Sequence, residues 1–153
     1  MSDFEIVMYK TLVKPELLLR DEPSLPEAMR LLNLCEAFVA VKGGKAISVC
    51  LLSSSKGHYN VTCLALDENH SGTGADKELL LYALDYARAR GGASVEIGTG
   101  NAQLKRHEMF TMMGFRVVGV WRDHFPGKGD NSTSSGSPIP NRDLLRYRIE
   151  FGG

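Results

Sequence analysis

The sequence predicts an α/β chain (α+β in some schemes) with a mixed, mostly antiparallel central sheet flanked by helices on both faces. Three observations carry that expectation. Two β-rich runs, Ala37 to Val41 and Ala46 to Leu52, flank Gly43-Gly44, and a Gly-Gly pair supplies the positive φ that a tight hairpin turn needs. Residues 75–90 then carry Leu79, Leu80, Ala83, Leu84 and Ala87, three and four apart, which is the spacing of one helix face. Finally, 153 residues fit one domain, 1–153, with a core large enough to need no disulfide or metal staple.

The elements follow in order. Leu17-Leu18-Leu19 reads as a short edge strand in an otherwise unpatterned first stretch. Ser24-Leu25-Pro26-Glu27 has the form of a capping box, with Pro26 tolerated in the first helical turn. A helix through about Cys35 follows, with Leu25, Met29 and Leu32 on one face. After the hairpin, a turn at 53–57 leads to a third antiparallel strand at 59–66. The helix at 75–90 stops at Gly91-Gly92. A short strand at 94–97, a helix at 102–113 ended by Gly114, and a strand at 115–121 complete an alternating stretch. Residues 127–137 form a polar Gly/Ser-rich loop with nothing to bury. The last strand, 143–151, carries Leu144, Leu145, Tyr147 and Ile149 for a mostly buried position. About six or seven strands result.

Composition excludes several function classes. Eighteen Lys and Arg balance eighteen Asp and Glu, so the chain lacks the basic excess of a nucleic-acid or anionic-membrane surface. No apolar run approaches a membrane span, and the first residues lack the basic and apolar regions of a signal peptide. Three cysteines, an odd number without metal-type spacing, point to a reduced, cytoplasmic setting and no metal.

Two Gly-containing segments lie where a strand feeds a helix, the place where backbone amides and the helix dipole favour an anion. In the first, Ser71-Gly72-Thr73-Gly74-Ala75-Asp76-Lys77, the glycines let backbone approach a ligand, and Lys77 adds positive charge. It lacks the lysine spacing of a P-loop. The second, Gly98-Thr99-Gly100-Asn101, resembles by itself the glycine loop of methyltransferases that bind S-adenosylmethionine. Only about a third of the chain remains after Asn101, too little for the parallel strands such a domain adds.

Four motifs in one order carry a family resemblance: Leu64-Ala65-Leu66-Asp67, Gly72-Thr73-Gly74, Thr99-Gly100-Asn101, and Phe110-Thr111-Met112-Met113-Gly114-Phe115-Arg116. The chain from Tyr59 to about Phe125 resembles the GNAT acyltransferase superfamily, small bacterial acetyltransferases in particular, and Asn141-Arg142-Asp143-Leu144-Leu145 resembles the family's approach to its last strand. The resemblance implies the acyl-CoA N-acyltransferase fold and acetyl-CoA as co-substrate. It implies that the strand of Leu64 and Leu66 pairs with pantetheine like an added strand. It also implies that Ser71, Gly72, Thr73, Gly74, Ala75, Asp76 and Lys77 hold the pyrophosphate, and that Asn101 and the following helix line the thiol end. The backbone N–H of Leu64 would polarise the acyl carbonyl.

Two departures stand out. Asp76 places a carboxylate beside a pyrophosphate, which Coulomb repulsion opposes. The family's tyrosine, often the acid for the leaving thiolate, is Phe110, which has no hydroxyl. For the proton leaving the amine, the residues offer Glu96, Asp123 and His124. The expected function is N-acetyl transfer to an amine of a small molecule or peptide by direct attack in a ternary complex. The alternative is a GNAT-fold binding or regulatory module without catalysis, which Asp76 and Phe110 favour. Exposed strands near the C-terminus leave room for a homodimer.

Overall fold

The computed structural model describes residues 4–125 and 139–152, so the whole of the polar loop expected at 127–137 lies outside the described residues. The chain opens with strand β1 (Glu5–Val7) and a short 3-10 turn, Lys10–Leu12. The run Leu17-Leu18-Leu19 is not an edge strand. Leu17 and Leu18 end helix α1 (Pro15–Leu18), where Pro15 presets the first-turn φ; both are buried, while Leu19, the residue just past the helix, is exposed. A three-residue apolar run has no readable period, and burial against the sheet decided its conformation.

Helix α2 (Leu25–Leu34) begins at Ser24, whose hydroxyl accepts from the Glu27 N–H. The box is not reciprocal. The Glu27 carboxylate turns to Arg30, which holds it below its usual range, and Glu22 takes the Ser24 N–H instead. The buried face is also displaced from the expected one. Ala28 and Leu32 face the core, whereas Leu25 and Met29 are exposed. A small alanine at the contact lets the helix lie close to the sheet.

The hairpin forms as read, β2 (Glu36–Lys42) and β3 (Lys45–Ser55) turning at Gly43 and Gly44, both at positive φ. Strand β4 (His58–Leu66) pairs antiparallel with β3. Helix α3 (Ala75–Ala89) follows a short 3-10 turn at Glu68–His70. Strand β5 (Ser94–Gly100) extends three residues beyond expectation, taking Gly98-Thr99-Gly100 into the sheet. Helix α4 (Leu104–Met112), β6 (Arg116–Trp121) and β7 (Leu144–Glu150) complete the chain. Among the described residues, seven strands run in the order β1-β2-β3-β4-β5-β7-β6, and only β4 and β5 pair in parallel.

Each face of the sheet has its own core. On one, Leu79, Leu80, Ala83 and Ala87 of α3 and Phe110 of α4 pack on Phe38, Leu64, Val95, Ile97 and Tyr147. On the other, Leu17, Leu18, Ala28 and Leu32 cover Val39, Val49, Leu51, Cys63 and Ala65. Among the described residues no helix is long and apolar enough to cross a membrane.

The parallel pair is short. His58–Val61 pairs with Ser94–Ile97, and beyond that β4 runs on to Leu66 while the end of β5 pairs only with β7. The cause is visible in the register with β3, where Leu52 faces Val61 but Leu51 faces Cys63. Thr62 is the extra residue of a bulge. A bulge bends its strand, and this one turns β4 away from β5 at the point where they separate.

Candidate active site

The separation leaves one stretch of β4 backbone without a strand partner. In an antiparallel ladder, alternate residues bond to one neighbour while those between face the other side. Leu64 faces the gap: its N–H donates to Asp21 Oδ2 at 3.0 Å, and its carbonyl accepts from Arg106 Nη2. The same alternation turns Leu66 toward the gap. Asp21 and Arg106 also pair with each other at 3.0 Å, closing a ring of three residues from the turn after α1, from β4 and from α4. Their side chains are only 29% and 20% exposed. Neither residue was legible in the sequence. They stand 85 positions apart, and only the parting of the two strands brings them together.

The gap opens into a cleft of about 1050 Å³. One wall is the α1–α2 segment with its carboxylates, and the other carries Trp121, His124, Phe125 and Leu144. His124 is exposed, and its ring lies 5.9 Å from Trp121 and 4.9 Å from Phe125. Glu96 also lines the cleft, but Arg146 at 3.2 Å and Arg148 at 2.5 Å both hold it. Asp123 sits at φ 55° with its carboxylate on Arg142. Of these three residues, only His124 has no ionic partner among the described residues.

The loop before α3 is built to present amides. Gly72 (φ 88°) and Gly74 (φ 76°) occupy the left-handed region, which a side chain would strain. The Thr73 hydroxyl donates to the His70 carbonyl and accepts from the Ala75 N–H. Among the described residues, the N–H groups of Gly72, Gly74 and Asp76 have no acceptor. Ser71 and Lys77 are exposed beside them. The Asp76 carboxylate accepts from the Lys77 N–H at 2.9 Å, so it occupies one donor of the helix start.

Two further sequence-selected residues have structural partners. The Asn101 side-chain oxygen accepts from the N–H groups of Arg142 and Asp143, at 2.7 and 2.8 Å, and its nitrogen donates to Pro140. It pins the approach to β7. Phe110 is fully buried, with its ring 5.8 Å from Phe115 and 5.3 Å from Tyr147. Burial also raises the Tyr147 hydroxyl above its ordinary range. Among the described residues, no group of three His, Cys, Asp or Glu is arranged to hold a metal ion.

A mixed sheet parted at a parallel pair, with an amide-presenting loop opening the next helix, defines the architecture of the acyl-CoA N-acyltransferases. The Acetyltransferase (GNAT) family profile matches residues 7–115, and the chain belongs to that family. It is 26% identical over 137 residues to the uncharacterized N-acetyltransferase YvbK of Bacillus subtilis (strain 168), covering 89% of this chain and 88% of that one. Its fold is similar to that of the IAA acetyltransferase from Bacillus cereus ATCC 14579. The TM-score is 0.86 at 26% identity, over 97% of this chain and 99% of that one. A GNAT family acetyltransferase from Elizabethkingia anophelis, solved with acetyl-CoA bound, shares the fold with a TM-score of 0.85. Identity there is 20%, over 99% of this chain and 100% of the other.

Proposed function

We propose that the chain moves an acetyl group from acetyl-CoA to an amine of a small molecule or peptide, by direct attack in a ternary complex. The observation that carries this reading is the Leu64 rung, which faces the gap between β4 and β5 and bonds to side chains rather than to a neighbouring strand. An extended amide-bearing chain can add to such an edge as a strand would. The N–H groups of Gly72, Gly74 and Asp76, which have no acceptor among the described residues, suit a pyrophosphate, with Lys77 supplying charge beside them.

The chemistry joins the amine nitrogen to the acyl carbon and breaks the carbon–sulfur bond. An ammonium and acetyl-CoA give an amide, free CoA thiol and a proton. The Leu64 N–H is the group to donate to the carbonyl oxygen as negative charge develops there. His124, at the cleft wall, is the residue to take the proton from the incoming ammonium. Phe110 has no proton to give, so the departing thiolate takes its own from another source. A cytoplasmic setting fits three cysteines that are all free thiols. Pairing of two copies along β6 fits the exposure of Val117, Val120 and Trp121.

The test is a thermal-shift titration with acetyl-CoA, using S-adenosylmethionine as the control. Ligand at about 100 times its dissociation constant adds roughly 2.7 kcal/mol of stability. A saturable rise with acetyl-CoA alone, followed by thiol release with some amine, supports the reading. No shift at millimolar acetyl-CoA refutes it.

A second reading, a non-catalytic GNAT-fold binding or regulatory module, is favoured by one specific pattern. Two N–H groups that a CoA ligand would use, at Leu64 and at Lys77, are held by the chain's own carboxylates. A module of that kind releases no thiol with any amine.

A further inference from the structure

We propose that Asp21 receives the acceptor amine, and that the ligand-free chain keeps its carboxylate seated on the N–H that the acyl carbonyl must take. This rests on the acetyltransferase reading and assigns to it a residue for the amine.

An N–H has one proton to donate. Asp21 Oδ2 and a thioester carbonyl therefore compete for Leu64 N–H, and only one can hold it. The ring around Leu64 satisfies the open rung as a neighbouring strand would, with a carboxylate as acceptor and the Arg106 guanidinium as donor. Acetyl-CoA entering the gap has to break both bonds.

The displaced carboxylate does not travel far. The Asp21 and Glu22 N–H groups both bond to the Leu18 carbonyl, so the backbone of the turn is fixed and only the side chain can swing. Asp21 then stands beside the acyl carbon, where the amine has to arrive. With the Leu64 carbonyl taken by ligand, Arg106 loses its second anchor, and an ammonium can replace it against Asp21.

The charge of this wall fits a cation. Arg20 pairs with Glu68, Arg30 with Glu27, and Arg146 with Glu96. Glu16 and Glu22 line the same cleft and face no cation among the described residues. An amine that is protonated in water is drawn to that side and meets Asp21 at its inner end.

The experiment compares the wild-type chain with Asp21→Ala and Asp21→Asn. Acetyl-CoA affinity is read by calorimetry, and amine KM by thiol release at saturating acetyl-CoA. Asp21→Ala removes the competitor, so acetyl-CoA binds about tenfold tighter, the low end for a hydrogen bond to a charged group. The same variant needs at least about tenfold more amine, because the ammonium has lost its counter-charge. Asp21→Asn keeps an acceptor for the N–H but not the charge. Its acetyl-CoA affinity stays within about threefold of wild type while its amine KM rises. Opposite movement of the two ligands is the signature, since a loss of fold weakens both. Acetyl-CoA affinity unchanged or weaker in Asp21→Ala overturns the proposal, as does turnover with no amine. Should Asp21→Ala fail to fold, an unchanged amine KM in Asp21→Asn overturns it alone. Wild type binding acetyl-CoA with no gain in Asp21→Ala sinks only the role of Asp21. No binding by either chain sinks the acetyltransferase reading with it.

Discussion

Replacing Gly100 with alanine forces a collision at the corner where β5 ends. A Cβ at that position would lie 2.2 Å from Asn141 Oδ1 and 2.5 Å from its Cγ. Asn141 is 4% exposed, and its Oδ1 accepts from the Ala102 N–H at 2.9 Å. The amide cannot swing aside without giving up that bond, so the substitution costs on two counts. Losing a typical intramolecular hydrogen bond costs about 1 kcal/mol. Forcing a methyl group into a packed site costs about 1–3 kcal/mol more. The sum is about 3 kcal/mol, which lowers the melting temperature by roughly 6–12 °C in a chain of this size. Calorimetry and urea unfolding measure it, the urea midpoint falling with the slope unchanged. The mechanism also makes a claim about coupling. In Gly100→Ala with Asn141→Ala the clash is gone, so the pair costs less than its two parts added by more than about 0.5 kcal/mol. A single variant within about 0.5 kcal/mol of wild type refutes the reasoning, and so does simple additivity of the two.

Other outcomes follow from the same geometry. Asp76→Asn removes a like charge from the start of α3, so acetyl-CoA should bind about three- to tenfold tighter, a gain that shrinks as salt rises. Calorimetry at two salt concentrations reads it, and equal or weaker binding would count against phosphate contact there. Phe110→Tyr restores the family's hydroxyl in a position that is fully buried beside Phe115 and Tyr147. It should lower stability by about 1–3 kcal/mol without raising turnover; faster thiol release would show that the ring reaches the thiol. Burial pushes the Cys50 thiol from 9.0 up to about 12, and Cys63 is raised as well. The unfolded chain therefore releases these protons first. The stability they contribute is complete below the ordinary thiol value and is lost as pH climbs toward the folded value. The urea midpoint should fall between about pH 8 and about pH 10.5, and less so in Cys50→Ala; equal slopes in the two chains would refute the assignment.

Much of the fold was legible because its signals are local. Gly43-Gly44 between β-rich runs specifies a hairpin wherever it occurs, and the 3–4 spacing of Leu79, Leu80, Ala83 and Ala87 specifies which side of α3 meets the sheet. Where local signals were short, the reading slipped. Leu17 to Leu19 has no period, and the face of α2 turned on whether Ala28 or Leu25 was nearer the sheet. The Gly98-Thr99-Gly100 segment read as a loop because glycines usually end strands. Pairing with β7 holds it as strand: Thr99 faces Leu145 and Gly100 faces Leu144.

The candidate site divides along the same line. The loop around Gly72 and Gly74 is a matter of backbone conformation over a few neighbouring residues, so the sequence alone determined it. Which amides stay free there depended on where Thr73 and Asp76 aim their oxygens. The sequence likewise determined that Phe110 offers no hydroxyl. The tertiary structure alone decided that Asn101 is bound up in the approach to β7, and that Glu96 is held between two arginines. It alone brought Asp21 to Leu64 across a gap that a single bulged residue, Thr62, opens in the sheet. The physical reason is range. Turn chemistry and helical periodicity act over a few positions, whereas a charge finds its partner through space, by way of every strand that places the two side by side.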